Sequence, residues 1–272
     1  MWNRLYKFFY CIFRIRKILV IFLDIISPKI CYCERCLSDM KAAGLDSDNY
    51  EDCRKFSIIT FNKYADAINA SVRKYSDTAT IFHNSGHIPK GDYRYIDKNT
   101  HLELESLPTG GWGYDHFPLS AAYVRTVKDK EFLGMTGKFH TWWGEFGGFK
   151  HPNALRYEAA LSLAVGAGCS IGDQMHPNGR LNESTFRLIG AAYSEVEEKE
   201  PWCKGAKAVA DIAVLSTEVM GGSWYSDEVK PDIGSNRILL ETHRLYNFID
   251  LDEDFSGFGM VMNQDFTDSL NL

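Results

Sequence analysis

Short apolar runs alternate with helix-like stretches along this chain of 272 residues, and that alternation restricts the possible folds most strongly. The predicted strands cover residues 17–26, 79–86, 100–108, 131–141 and 169–177. The predicted helices begin at Ser47 or Asp48, Pro118, Pro152 and Asn182, and they end near residues 75, 128, 168 and 201. Because parallel strands need long crossovers, which helices usually provide, this order predicts an α/β fold with parallel strands.

The first predicted strand, residues 17–26, is a nearly continuous apolar run. Such a run is typical of a parallel strand that is covered on both faces. After residue 204 a new buried strand is predicted at 208–217, followed by an amphipathic helix and a short strand within 235–258. This last part predicts the opening of a second α/β domain.

Ionisable residues occur where the predicted strands pass into loops: Asp24, His83, Glu105, Glu145 and Asp173. In a (β/α)₈ barrel, active sites lie at this carboxyl-terminal edge. A doubly wound sheet also binds ligands at the carboxyl ends of its strands, but only near a reversal of strand order. Since polar residues follow every successive strand, the pattern favours part of a barrel.

The segment THLELESLP, residues 100–108, places His101, Glu103 and Glu105 on one strand face and apolar residues on the other. The loop that follows is rich in glycine and contains Trp112. Two carboxylates beside aromatic side chains are typical of sites that cleave sugars. The alternative interpretation is an exposed polar strand face without chemistry.

Net charge and the N-terminal residues restrict the partners. The net charge of −6, without a concentrated basic patch, argues against nucleic acid. Residues 1–28 are apolar and basic, but the charge-free run 18–23 is too short to span a bilayer, and no small-residue cleavage site follows. We therefore expect a soluble, cytoplasmic protein without a membrane partner.

Seven cysteines, an odd number, do not suggest a secreted disulfide framework. Cys31, Cys33 and Cys36 are spaced so that their thiolates could converge on a structural zinc ion. The alternative is three reduced thiols in a loop. No cofactor is expected for catalysis.

Four long motifs carry a family resemblance: DIISPKICYCERC, THLELESLPTGGWGYDHFP, FLGMTGKFHTWWGEFGGFKHP and GCSIGDQMHPNGRL. Over about residues 18–260 the chain resembles a hypothetical glycosyl hydrolase family. Members of that family resemble family 29 α-L-fucosidases in the barrel, and they carry a domain like the family 42 β-galactosidase trimerisation domain. The resemblance implies a glycosidase (β/α)₈ TIM barrel followed by a flavodoxin-like α/β domain.

The resemblance also implies site roles. Asp24 matches the nucleophile of a retaining glycosidase, and Glu105 matches the acid/base, with Glu103 as the substitute candidate. A second assignment makes Asp24 the acid and Glu145 the nucleophile. Residues expected to bind or orient the sugar are His83, His101, Trp112, His140, Trp142, Trp143 and Asp173.

Relative to that family the chain looks truncated at both ends. The resemblance then divides it into an atypical segment 1–16, the C-terminal part of the barrel (about strands 4 to 8) at 17–204, and an incomplete trimerisation-like domain at 205–272. The expected partners are a carbohydrate substrate and further copies of the chain, since complete relatives form trimers. Two alternatives to an active glycosidase are a catalytically incomplete carbohydrate-binding or assembly module and a cysteine-cluster metal protein.

Overall fold

The computed structural model describes residues 20–219 and 229–263, so the predicted atypical segment 1–16 lies outside the described residues. The described chain is a mixed α/β protein in which every strand pairing is parallel. The strands are β1 (Val20–Leu23), β2 (Thr80–His83), β3 (Leu102–Glu105), β4 (Phe132–Gly137), β5 (Gly168–Gly172), β6 (Ile212–Leu215), β7 (Tyr246–Ile249) and β8 (Met260–Asn263). The helices are α1 (Glu34–Ala42), α2 (Tyr50–Arg73), α3 (Tyr93–Asp97), α4 (Gly113–Val124), α5 (Pro152–Ala164), α6 (Glu183–Cys203) and α7 (Lys230–Glu241), with a 3₁₀ turn at Phe255–Gly257.

One compact unit contains residues 20–85 and 93–101. Its β1 pairs with β2, and Ile68 and Val72 of α2 pack with Ile81 in a buried cluster. The prediction that the first strand is covered on both faces is wrong, because Val20 is 51% exposed and Phe22 is 39% exposed. In the described residues this strand has a single neighbour in its sheet.

The long helix α2 begins two to three residues after the predicted cap. Asn49, and not Ser47 or Asp48, occupies the N-cap, where its side chain accepts hydrogen bonds from the backbone of Glu51 and Asp52. Asparagine is among the best N-cap residues because its oxygen pairs with backbone N–H groups that lack helical partners. The predicted extent of the helix is otherwise confirmed.

The second compact unit contains residues 86–92, 102–219 and 229–263 and includes two three-stranded sheets. The first has the order β3-β4-β5, and the second has the order β7-β6-β8. The predicted strand at 208–217 is confirmed as β6, and the segment 235–258 is confirmed as the rest of α7 followed by β7.

Helices α4 and α5 cover one face of β3-β4-β5. Gly134 of β4 allows this packing, since a Cβ there would lie 2.6 Å from Phe117 Cε2 and 2.8 Å from Ser162 Oγ. Helix α4 begins at Gly113, so the prediction that Pro118 opens it is wrong and Pro118 lies inside it. Helices α5 and α6 begin as predicted, with Pro152 in the first turn of α5 and Asn182 capping α6.

The described strands form three separate sheets, and none of these sheets closes into a barrel. The described part of the chain is therefore a mixed α/β fold with parallel sheets. The described helices are all too short or too polar to cross a bilayer.

Candidate active site

Strand β3 carries two of the predicted acidic residues. Glu103 and Glu105 alternate along β3 onto one face and are 8% and 5% exposed. Their register partners on β4 are Leu133 and Met135. Glu105 is the last residue of the strand, so its carboxylate group is placed at the edge where loops follow.

Three tryptophans from two loops meet at this same end of the sheet. The ring centroids of Trp112 and Trp142 are 5.6 Å apart, and those of Trp112 and Trp143 are 6.2 Å apart. Trp142 is 55% exposed. The loops approach closely because Gly110 and Gly111 lack side chains: a Cβ would lie 2.5 Å from the Thr141 carbonyl oxygen and 2.9 Å from the Trp142 ring, respectively.

Trp143 also packs over the sheet itself. A Cβ on Gly137 would lie 2.7 Å from the Trp143 ring, and one on Gly172 would lie 3.1 Å from it. These two glycines are register partners at the ends of β4 and β5, and they share the sheet face of Glu105. The three predicted tryptophans are thus brought together, at the sheet edge that carries Glu105.

Glu145 lies in the loop after β4 and is hydrogen-bonded within that loop. Its Oε2 accepts from the Thr141 backbone N–H at 2.6 Å and from Thr141 Oγ1 at 3.0 Å. The hydrogen bond from the Thr141 backbone is the main cause that lowers the pKa of Glu145, and nearby His140 adds to the effect. Glu145 is therefore a carboxylate that stays ionised, with His140 exposed beside it.

Asp173 follows β5 directly. Its Oδ1 accepts from the backbone N–H of Gln174 at 2.7 Å, and Gln174 Nε2 donates to the carbonyl of Trp143 at 3.3 Å. Asp173 thus lies next to a residue that supports the loop after β4, which carries Trp142 and Trp143.

Three predicted residues belong to the other compact unit. Asp24 follows β1, is exposed, and accepts from Asn84 Nδ2 at 2.9 Å through its Oδ1. His101 precedes β3, next to Thr100 Oγ1 at 3.3 Å from its Nδ1 and with its ring 5.7 Å from that of Phe82. Their roles toward a substrate, and the pairing of Asp24 with Glu105, stay predictions.

His83 is the third of these residues and is fully buried. Its ring lies 6.4 Å from Phe61 and 6.0 Å from Tyr64, and its Nε2 is 3.0 Å from Asn69 Oδ1. Since a carboxamide oxygen can only accept, Nε2 carries the proton in this contact. Burial, with a smaller contribution from Lys98, lowers the pKa of His83 to about 4.

Cys31, Cys33 and Cys36 form a thiol cluster at the start of α1. Their sulfur atoms all lie within 4.8 Å of one another, and Cys33 is the N-cap residue. The backbone N–H of Cys36 lowers the pKa of Cys33, whereas burial raises the pKa of Cys36 to about 12. Sulfurs of a tetrahedral zinc site are about 3.8 Å apart when each Zn–S bond is about 2.3 Å, so three ligands of such a site fit here.

Two buried ionic networks were not predicted from the sequence. On the helix side of β4, Lys150 Nζ donates to Glu158 Oε2 at 2.6 Å and to Thr136 Oγ1 at 2.9 Å. In the second network, Glu218 pairs with Lys90 Nζ at 2.6 Å and with His87 Nε2 at 2.8 Å. A glutamate within the alanine-rich run of α5 was the one signal that could have indicated the first network.

The described chain is similar to solved glycosidase structures. It aligns over 96% of its length with α-L-fucosidase isoenzyme 2 from Paenibacillus thiaminolyticus, with 48% sequence identity and a TM-score of 0.90. This chain is similar to glycoside hydrolases. It spans 40% of the length of the fucosidase chain.

Two β-galactosidases share the fold at low identity. The enzyme from Bacillus circulans sp. alkalophilus aligns with 95% of this chain and 49% of its own, at 13% identity and a TM-score of 0.71. The enzyme from the haloarchaeon Halorubrum lacusprofundi aligns with 77% of this chain and 37% of its own, at 15% identity and a TM-score of 0.57. No protein-family model and no curated protein sequence matches the chain. The predicted resemblance to fucosidases and β-galactosidases is confirmed.

Proposed function

We propose that this chain provides the carboxylates of a retaining glycoside hydrolase that acts on small glycosides or oligosaccharides. The observation that carries the proposal is the 48% identity with an α-L-fucosidase across 96% of the chain. α-L-Fucosides are therefore the first substrates to test. Buried Glu105 and the partly exposed tryptophans at the same sheet edge support a site that binds a sugar ring.

In the proposed reaction, a carboxylate oxygen of Asp24 attacks the anomeric carbon while the bond to the leaving oxygen breaks. Glu105 gives its proton to that oxygen, which leaves as an alcohol. Water then attacks the glycosyl-enzyme, Glu105 takes the water proton, and Asp24 is released as a carboxylate. The two carboxyl groups of such enzymes lie about 5–5.5 Å apart across the bond that is cleaved.

A second assignment uses Glu145 as the nucleophile and Asp24 as the acid. The hydrogen bonds from Thr141 that lower the pKa of Glu145 favour this alternative, because a nucleophile must be ionised. The same bonds occupy one of its two carboxylate oxygens, which favours a role in holding the loop. We keep Asp24 and Glu105 as the first assignment.

The finer architecture is also a proposal. We infer that β1 to β5 correspond to the last five strands of a (β/α)₈ barrel, and that β6 to β8 open a flavodoxin-like domain like the β-galactosidase trimerisation domain. Parallel pairing throughout and polar residues after successive strands support this proposal. The same proposal divides the chain into domains at 17–204 and 205–272. It also includes association of the chain into a homo-oligomer.

We further propose that Cys31, Cys33 and Cys36 hold a structural zinc ion. Zinc would tie the loop after β1 to the start of α1 and would take no part in the reaction. The closeness of the three sulfur atoms supports this role.

The acid/base proposal is tested by replacing Glu105 with Gln and varying the leaving group. Without a general acid, hydrolysis of an alkyl α-L-fucoside should slow by about 10²–10⁴-fold, because an alkoxide leaves poorly. The first step with 4-nitrophenyl α-L-fucoside should slow far less, because nitrophenolate needs no proton.

Glu103→Gln, two residues away on the same face, is the matched control. Equal losses on both substrates in Glu105→Gln, or the leaving-group dependence appearing in Glu103→Gln instead, would reject Glu105 as the acid/base. Binding of L-fucose without turnover of either substrate by the unmodified chain would favour a carbohydrate-binding module.

A further inference from the structure

A buried lysine lies at the base of the loop that follows β4. Lys138 directly follows β4 and is 3% exposed. In the part of the chain that the structure describes, its ammonium group contacts no carboxylate. Burying an ammonium group is costly unless its donors are satisfied, so its surroundings must compensate for the lost water.

The compensation comes from the loop itself. Lys138 Nζ donates to the backbone carbonyls of Phe146 at 2.7 Å, Gly148 at 3.2 Å and Glu145 at 3.5 Å. An ammonium group has three donor hydrogens, and three carbonyls receive them. The rings of Phe139 and Phe149 lie 5.0 and 5.1 Å from Nζ, within the range of cation–π attraction.

The backbone of Lys138 closes the same loop. Its carbonyl accepts from the Lys150 backbone N–H at 2.7 Å, and its own N–H donates to the Gly172 carbonyl of β5 at 3.0 Å. Residues 139–149, named here the tryptophan loop, therefore begin and end at one hydrogen-bonded pair, with the ammonium group inside.

We infer that Lys138 is a positioning residue for the sugar platform. Its ammonium group holds the far side of the tryptophan loop and thereby presents Trp142 and Trp143 at the sheet edge of Glu105. This inference rests on the proposed function only where it takes the tryptophans as a sugar platform. The position of the loop is a separate, measurable property.

The test is hydrogen exchange of the tryptophan loop in Lys138→Ala, followed by mass spectrometry. Removing the ammonium group leaves three carbonyls facing a cavity, so loop amides should exchange at least tenfold faster than in the unmodified chain. n-Propylammonium, which replaces the missing atoms beyond Cβ, should slow the exchange again. Lys128→Ala, at an exposed lysine in the preceding turn, is the matched control. It should show neither faster exchange of the loop amides nor an effect of propylammonium.

Lys138→Met keeps most of the side-chain volume without the charge, so it remains informative if the alanine variant fails to fold. It should show faster loop exchange that propylammonium does not reverse, because its own stem fills the cavity. Unchanged loop exchange in a folded Lys138→Ala or Lys138→Met would overturn the inference.

Sugar binding connects the loop to function. Weaker binding of L-fucose by Lys138→Ala, restored by propylammonium together with slow loop exchange, would support the platform role. If the unmodified chain neither binds L-fucose nor turns over a fucoside while loop exchange behaves as expected, the proposed function fails and the role of Lys138 in positioning the loop stands.

Discussion

At the scale of single residues, Lys150 and Glu158 form a buried ion pair on the helix side of β4. Their side chains are 0% and 5% exposed, and the charged atoms are 2.6 Å apart. Burial raises the pKa of Glu158 and lowers that of Lys150, against the effect of their pairing. Each charge therefore depends on the other to remain in the interior.

We expect Lys150→Met to lower the free energy of unfolding by about 3 kcal/mol, because it leaves a buried carboxylate without its cation. Urea denaturation measures this change. Arg156→Ala removes a cation from the same helix and is the control: its partner Glu195 lies 2.5 Å away, but the side chains are 47% and 41% exposed. The free energy of unfolding of Arg156→Ala should fall by less than about 1 kcal/mol. An equally small decrease in Lys150→Met would show that the buried carboxylate does not depend on its cation.

His83 makes the unfolding free energy depend on pH. Its pKa is lowered from 6.5 to about 4 in the folded chain, so between these values the unfolded chain binds a proton that the folded chain does not. Neutral His83 therefore makes its full contribution to the free energy of unfolding above pH 6.5, and this contribution is lost as the pH falls toward 4.

His83→Gln should remove this dependence. Between pH 7.5 and 4.5 the unmodified chain should lose about 2 kcal/mol more of its unfolding free energy than the variant does. Denaturant melts at the two pH values measure the difference. His176→Gln, at an exposed histidine, should leave the pH dependence as it is. Identical pH profiles for His83→Gln and the unmodified chain would show that burial does not lower the pKa of His83.

At the scale of elements, Gly134 determines how closely α4 and α5 pack on β4. Gly134→Ala should destabilise the chain by about 1–3 kcal/mol, since its Cβ would overlap Phe117 and Ser162 Oγ. Gly190→Ala is the opposite control, because it lies inside α6 with open space around it and should stabilise by about 0.5–1 kcal/mol. Thermal or urea unfolding of both variants measures these two changes in stability. Equal effects of the two substitutions would contradict this packing argument.

The elements themselves were largely predictable, and their boundaries were predictable only where a local signal was unambiguous. Asn182 and Pro152 mark helix starts because their chemistry suits those positions. Pro118 misled the prediction: it lies inside a helix that begins at Gly113, although a proline at that position removes one helical hydrogen bond. The apolar run of β1 predicted cover on both faces, but Val20 and Phe22 are exposed in the part of the chain that the structure describes.

At the scale of the whole molecule, the sequence indicated the polar and aromatic residues near the end of β3-β4-β5, but it did not indicate the buried lysines around them. Strand alternation predicted Glu103 and Glu105 on one face. The three tryptophans, Trp112, Trp142 and Trp143, were expected to bind sugar, but their contacts with one another were not predicted. Lys138 and Lys150 were missed because a lysine is usually exposed, and its burial depends on carbonyls and carboxylates that only the folded chain brings near.

The proposed role of Asp24 as the nucleophile of a retaining glycosidase can be tested directly. The most direct measurement is the product formed by Asp24→Asn from 4-nitrophenyl α-L-fucoside in the presence of azide, with Glu145→Gln treated in parallel. If Asp24 is the nucleophile, Asp24→Asn loses turnover, and azide restores it and yields a fucosyl azide of inverted anomeric configuration. A fucosyl azide from Glu145→Gln and none from Asp24→Asn would contradict the assignment of Asp24 as the nucleophile.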